Sequence, residues 1–145
     1  MKKILVVVFT VIAHCLTLSA CAPKEGQIEN VKITIGTSDK FNKEKIEEAI
    51  DRIKEKFISD FKGCELLQLW YDEKSSDQQI ESYIRSGNGS KNGVSGENVI
   101  IILSNFKAGS GADMTFHRNT IYEDWMWILI RDSESDTWRI DDWGY

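Results

Sequence analysis

The chain has 145 residues, 28% charged and 41% apolar, the balance of an ordinary globular domain. Setting residues 1–20 aside as a leader leaves 125 residues with 16 basic against 23 acidic side chains, a net charge of about −7. That excess argues against nucleic acid as a partner, because phosphate contacts need clustered Lys and Arg, and against attachment to anionic lipid by charge alone.

The first segment reads as an export signal. Met1-Lys2-Lys3 is a short positive start, Ile4 to Ala13 is almost wholly apolar, and Leu16 and Leu18 extend the run. It is too short and broken for a membrane-spanning helix, which needs about 20 apolar residues. Leu18-Ser19-Ala20-Cys21 ends it with a branched apolar residue, two small residues and a cysteine. This run resembles the lipobox of bacterial lipoproteins. The resemblance, which covers residues 1–21, implies a diacylglyceryl group on Cys21 and cleavage just before it. Two acyl chains give stable anchoring where one gives marginal binding. Ala20-Cys21-Ala22 also has the small-x-small form of an ordinary secretory site, with its cut placed just before Pro23. The expected location is the extracytoplasmic face of the cell membrane, with lipid on Cys21 as the membrane contact.

Residues 22–30 are polar, carry the only proline, and read as a tether completing a 21–30 segment of lipidated cysteine and linker. Residues 31–145 then form one domain. Val31-Lys32-Ile33-Thr34-Ile35 alternates in the manner of a strand. Asn42 is an N-cap with Glu44 in the first turn, and Ile46, Ala49, Ile50, Ile53, Phe57 and Phe61 recur at helical spacing to a stop at Lys62-Gly63. Cys64 to Tyr71 predicts a strand. Ser76-Asp77-Gln78-Gln79 has capping-box form and opens a short helix through Ile80, Tyr83 and Ile84. Gly87 to Gly96 reads as a flexible loop; it lacks the glycine and lysine spacing of a phosphate loop.

Val99 to Leu103 is an unbroken aliphatic run, the pattern of a central strand buried on both faces. Residues 105–120 read as a long loop. Tyr122 to Arg131 and Thr137 to Trp143 are strands around a polar turn at 132–136. Short turns between strands imply an antiparallel sheet, and one long amphipathic helix packed on four to five strands makes an α+β domain of two layers. The order is similar to the cystatin-like arrangement. The ending Trp138-Arg139-Ile140-Asp141-Asp142-Trp143-Gly144-Tyr145 resembles that of small uncharacterised lipoproteins of Gram-positive bacteria with such a domain of unknown function.

A hairpin centred on Glu134 sets Trp125 opposite Trp143, Trp127 opposite Asp141 and Leu129 opposite Arg139. The even-numbered face, with Met126, Ile128 and Ile130, is apolar and is expected under the long helix. The odd-numbered face gathers Trp125, Trp127, Trp143 and Arg139, either as an exposed ligand-binding patch or as a second small core. A register error of one residue would mix the two faces.

Signals for catalysis are thin. His117 is the only histidine after the leader, so a zinc site lacks ligands, and no Gly-x-Ser-x-Gly elbow accompanies a serine triad. Cys64 with His117 has no local signature of a thiol pair. Cys64 itself reads as a small buried apolar residue or a reactive lone thiol. The adjacent Asp141 and Asp142 on a strand should point to opposite faces. Acids of the 105–120 loop lack calcium-loop spacing. No metal or cofactor is implied. The expected function is a non-enzymatic surface lipoprotein that binds a peptide, glycan or protein through Trp125, Trp127 and Trp143. A lipid-anchored enzyme using His117 and loop carboxylates, or a structural protein docking through the long helix, are the alternatives.

Overall fold

The computed structural model describes residues 24–145. The expected leader at 1–20, Cys21 and residues 22–23 lie outside the described residues. The elements run β1 (Lys32–Ile35), α1 (Lys43–Asp60), β2 (Cys64–Tyr71), α2 (Glu73–Ser86), a single turn α3 (Gly89–Asn92), β3 (Val99–Ala108), β4 (Thr120–Ile130) and β5 (Arg139–Gly144). They form an α+β domain on one five-stranded sheet ordered β1-β2-β3-β4-β5. Pairing is antiparallel except between β1 and β2. That pair is parallel because α1 lies between its strands and carries the chain back to the same end before β2 starts.

Helix α1 follows from its sequence. Asn42 Oδ1 accepts from the Lys45 N–H at 2.9 Å, and Ile46, Ala49, Ile50, Ile53 and Phe57 are buried on one face. That stripe packs on Leu66, Leu69, Tyr71, Ile100, Ile102, Phe106, Trp127 and Leu129, the main core. Burying each large side chain of the stripe contributes about 1.5–3 kcal/mol.

The second face is also covered. Ile80 and Tyr83 of α2 pack on Val99, Ile101, Ile128 and Ile130, so the domain carries a helix on each side of the sheet rather than on one. Val99 to Ile102 are buried without interruption, as the aliphatic run predicts, because alternate residues feed the two cores. Helix α2 begins earlier than the capping-box reading. Its cap is Asp72, which accepts from the Ser75 N–H at 2.8 Å. Ser76 is instead buried, and its hydroxyl accepts from the Ile101 N–H at 3.1 Å. The segment 87–96, expected as a flexible loop, contains α3, with Gly89 pressed against the Tyr83 ring.

Two further expectations change. Residues 24–30 are not a free tether. Gly26 N–H donates to Ile58 O at 3.0 Å, Gln27 N–H to Cys64 O at 2.9 Å, and Leu66 N–H to Gln27 O at 2.8 Å. A side chain on Gly26 would collide with the Phe57 carbonyl. The 105–120 loop shrinks to 109–119, because β3 and β4 pair as far as Ala108 and Thr120.

The last hairpin departs from the register centred on Glu134. Ile130 pairs with Arg139, Leu129 with Ile140, Ile128 with Asp142 and Trp127 with Trp143, across a bulge between Ile128 and Leu129. The turn is wide because Trp138 is drawn under the start of α1, where its indole N–H donates to Lys45 O and its backbone N–H to Glu48 Oε1, both at 2.9 Å. The two faces are also exchanged. Trp127 and Leu129 lie under α1, and Ile128 and Ile130 under α2.

Candidate functional site

The four residues singled out as a patch are dispersed. Trp127 is fully buried in the main core, its indole N–H on the Ser104 hydroxyl at 2.8 Å, so it is no surface contact. Arg139 sits at the far end of the hairpin and pairs with Asp132 at 2.8 Å on an exposed rim, which holds its guanidinium above the ordinary value. Trp125 and Trp143 remain at the surface end of the sheet, half-buried and 42% exposed respectively.

Trp125 stands in an aromatic cluster. Its ring meets Phe106 at 5.4 Å, Tyr122 at 5.8 Å, Phe116 at 6.0 Å, Phe61 at 6.3 Å and Tyr145 at 5.2 Å between centroids, every contact edge-on. Such pairs each contribute about 0.5–1.5 kcal/mol beyond their area. Trp125 Nε1 is buried with no acceptor, and it is the only side-chain nitrogen or oxygen so placed among the described residues. An unmet donor of this kind costs about 1–3 kcal/mol. Tyr145, 75% exposed, leaves this cluster open on one side.

Trp143 flanks α1 on the β5 edge. Lys56 Nζ lies 4.1 Å above its ring and also pairs with Asp60 at 2.6 Å. The Lys56 ammonium, and then the Ser59 hydroxyl, hold the Asp60 carboxyl below its ordinary 3.8. An indole, a cation and an acid thus line up along one surface ridge, with Tyr145 two residues on. Lys56 and Tyr145 escaped sequence reasoning. The helical spacing places Lys56 only on the polar side of α1, and nothing in that pattern links it to a strand 87 residues away.

The bulge in the last hairpin overturns another expectation. Asp141 and Asp142 both reach the α2 side: Tyr83 Oη donates to Asp141 Oδ2 at 2.5 Å and Asn88 Nδ2 to Asp142 Oδ2 at 3.4 Å. Burial and then the Asp141 carboxylate push the Tyr83 hydroxyl up to about 12, so it stays a donor. The contact fastens α2 to β5. Elsewhere on α2, Lys40, Asp77, Ile80, Glu81, Ile84, Arg85 and Gly96 line a shallow depression of about 590 Å³, crossed by the Lys40–Asp77 ion pair at 2.9 Å.

His117 is exposed; its backbone N–H donates to Tyr122 Oη at 2.8 Å, and no carboxylate of the described residues bonds its ring. Cys64 is buried and free, its thiol pushed up to about 11 by burial and then by the Asp113 charge. It is therefore the small buried residue of the two readings. Among the described residues, no three His, Cys, Asp or Glu side chains gather to hold a metal ion. No helix among them is long and apolar enough to cross a membrane.

These features define a small α+β domain whose exposed aromatic residues gather at one end of a mostly antiparallel sheet. Residues 27–144 match the model of a family described as a domain of unknown function, DUF4829, and the chain belongs to that family. No curated protein and no solved structure matches it significantly.

Proposed function

We propose that this protein is a lipoprotein held on the extracytoplasmic face of the cell membrane by lipid on Cys21, and that its domain acts by binding a peptide, glycan or protein. The anchor rests on the Lys2-Lys3 start, the apolar run to Leu18 and the Ser19-Ala20-Cys21 ending. The binding role rests on one observation: Trp143 is a large aromatic side chain, 42% exposed at the surface, with Lys56 over one face of its ring. Trp and Arg or Lys pairs of this kind suit sugar rings and peptide planes. Trp143 with Tyr145 and the edge of Trp125 is the contact surface in this reading, and the Trp127 and Arg139 roles are dropped. We further propose a cystatin-like kinship, supported by one long helix crossing an antiparallel meander, with α2 as an addition on the opposite face.

Growth of wild type and Cys21→Ser with labelled fatty acid tests the anchor. Label should appear on the wild type alone, and equal labelling of both would refute it. For the binding surface, indole N–H resonances of the domain are followed during titration with short peptides and soluble glycan fragments. Those of Trp143 and Trp125 should shift and that of Trp138 should not. Shifts confined to other regions would refute this surface.

A further inference from the structure

We propose that the end of the domain built from loop 109–119 rests on the lipid bilayer, with Met114 inserted among the acyl chains and Ile121 at the interface. The inference rests on the Cys21 anchor proposed above and names the surface that the anchor would press against it.

Chain length makes the argument. The domain holds the chain from Lys24 onward, since Gly63 N–H donates to Lys24 O at 2.6 Å. Only residues 22 and 23 separate that fixed point from Cys21, and three Cα-to-Cα steps reach at most about 11 Å. A lipidated Cys21 lies in the headgroup region, so Lys24 and its surroundings are drawn to the same level. A long flexible spacer would have left the orientation open; two residues do not.

Those surroundings are loop 109–119. Gly63 O accepts from the Gly109 N–H at 3.0 Å, and Lys62 O from the Asp113 N–H at 3.3 Å. The loop is therefore bonded to Gly63, which also holds Lys24, and to its chain neighbour Lys62. Ala112 is buried and Phe116 packs at 5.1 Å on Phe61, so the loop is pinned on both sides of its tip. Between the pins Met114 is 93% exposed, the most exposed large apolar side chain described. Ile121, 55% exposed, stands beside Lys107 on the adjoining ends of β4 and β3. Lys24, Lys62, Lys107 and Arg118 lie around this end, with Glu25, Glu65, Asp113, Glu123 and Asp124 among them. The charges nearly offset one another, so the contact is apolar and needs the covalent anchor to hold it.

The test uses the full lipidated protein carrying Met114→Cys, reconstituted in phosphatidylglycerol–phosphatidylethanolamine vesicles and labelled with a nitroxide. Buried Cys64 does not compete for label. Collision with a water-soluble nickel chelate should fall severalfold relative to the same label at Glu134→Cys. That residue lies in the turn beyond the other end of β4, about 35 Å away at strand rise. Oxygen collision should rise at 114. Equal nickel access at the two sites in protein that carries fatty acid would overturn the proposal alone. Absence of fatty acid on Cys21 would overturn the anchor, and the proposal with it. Shielding of position 114 that persists without vesicles in Cys21→Ser protein would show a second copy on this face and would also overturn it. Ile121→Cys should follow Met114→Cys to a smaller extent.

Discussion

The indole N–H of Trp127 donates to the hydroxyl of Ser104 at 2.8 Å, and both residues are completely buried between β3 and β4. This bond lets a tryptophan occupy the center of the main core without an unmet donor. Ser104→Ala should cost about 1–3 kcal/mol in urea unfolding, since the donor is left unpaired in a dry site. Trp127→Ala should cost about 3–5 kcal/mol. Trp143→Ala on the surface ridge should cost no more than about 1 kcal/mol. Equal losses for Trp127→Ala and Trp143→Ala would contradict the separation of core from surface.

Arg131 is buried at the opposite end, beneath the wide turn. Its guanidinium lies 4.6 Å from the Trp138 ring and donates to Glu134 O at 3.0 Å and Asn98 Oδ1 at 3.3 Å, with no carboxylate of the described residues in ion-pair contact. Lysine cannot reproduce that planar fork. Arg131→Lys is expected to lower the melting temperature by several degrees, through about 1–3 kcal/mol of lost bonding. An unchanged melting temperature would show that the turn needs only the charge.

Stability should decline on the acid side. Ser38 and the Asp39 and Lys40 N–H groups hold the Glu73 carboxyl below its ordinary 4.5. Partial burial works to raise Glu48, but hydrogen bonds from Lys45 and the Trp138 N–H outweigh it and leave that carboxyl low as well. With Asp60, these groups have folded-state values below their unfolded ones. Their contribution is present in full above the unfolded values and is lost as pH falls through the folded ones. The urea midpoint should hold steady from about pH 7 to about pH 5.5 and drop below about pH 4.5. Glu48→Gln should flatten part of that drop. An unchanged slope would remove Glu48 from the account.

Cys64 offers a simple reading of the native state. With its thiol pushed up to about 11, almost none is thiolate at pH 8, and the side chain is buried besides. An aromatic disulfide reagent at pH 8 should leave Cys64 unmodified for as long as the domain stays folded, then react with it in 6 M guanidinium. Prompt reaction in the native state would mean that the strand opens locally.

Gly63 is required twice over, by its φ of +73° and by a Cβ that would fall 2.4 Å from Gly111 O. Gly63→Ala should therefore loosen loop 109–119 and the segment from Lys24 together. Limited proteolysis should show cleavage within 109–119 in the variant well before the wild type. Matching cleavage rates would argue that the loop is held elsewhere.

Parts of this fold were legible for definite reasons. Helix α1 carries a full apolar period with an asparagine cap, and Val99 to Ile102 could only be a strand with cover on both sides. The end of β3 was not legible, because Ser104, Asn105 and Lys107 look like loop residues. Ser104 serves the Trp127 indole, and Asn105 Oδ1 accepts from the Asp124 N–H at 3.0 Å, where the backbone turns to positive φ. Faces of β4 were exchanged because both its odd and even residues are apolar, so parity alone selects neither. The docking of residues 24–30 rests mostly on backbone bonds, which leave no pattern in side-chain type; Gly26 and the half-buried Ile28, packed on the main core, are its traces. Of the site, the aromatic content of the last two strands was visible. Which rings faced water depended on a bulge and a wide turn fixed by contacts from α1.

Residues 24–27 lie alongside β2 in the same direction, with Gln27 bridged to Glu65 in parallel. A tug on the chain from the N-terminal side therefore runs along the bonds' common axis of sliding. The two bonds that join Gln27 to Cys64 and Leu66 would be strained together instead of peeling away one after another, with Gly26 held separately by Ile58 of α1. The place where the chain enters the domain is thus built as a shear joint, able to bear load that a zipper of the same bonds would not.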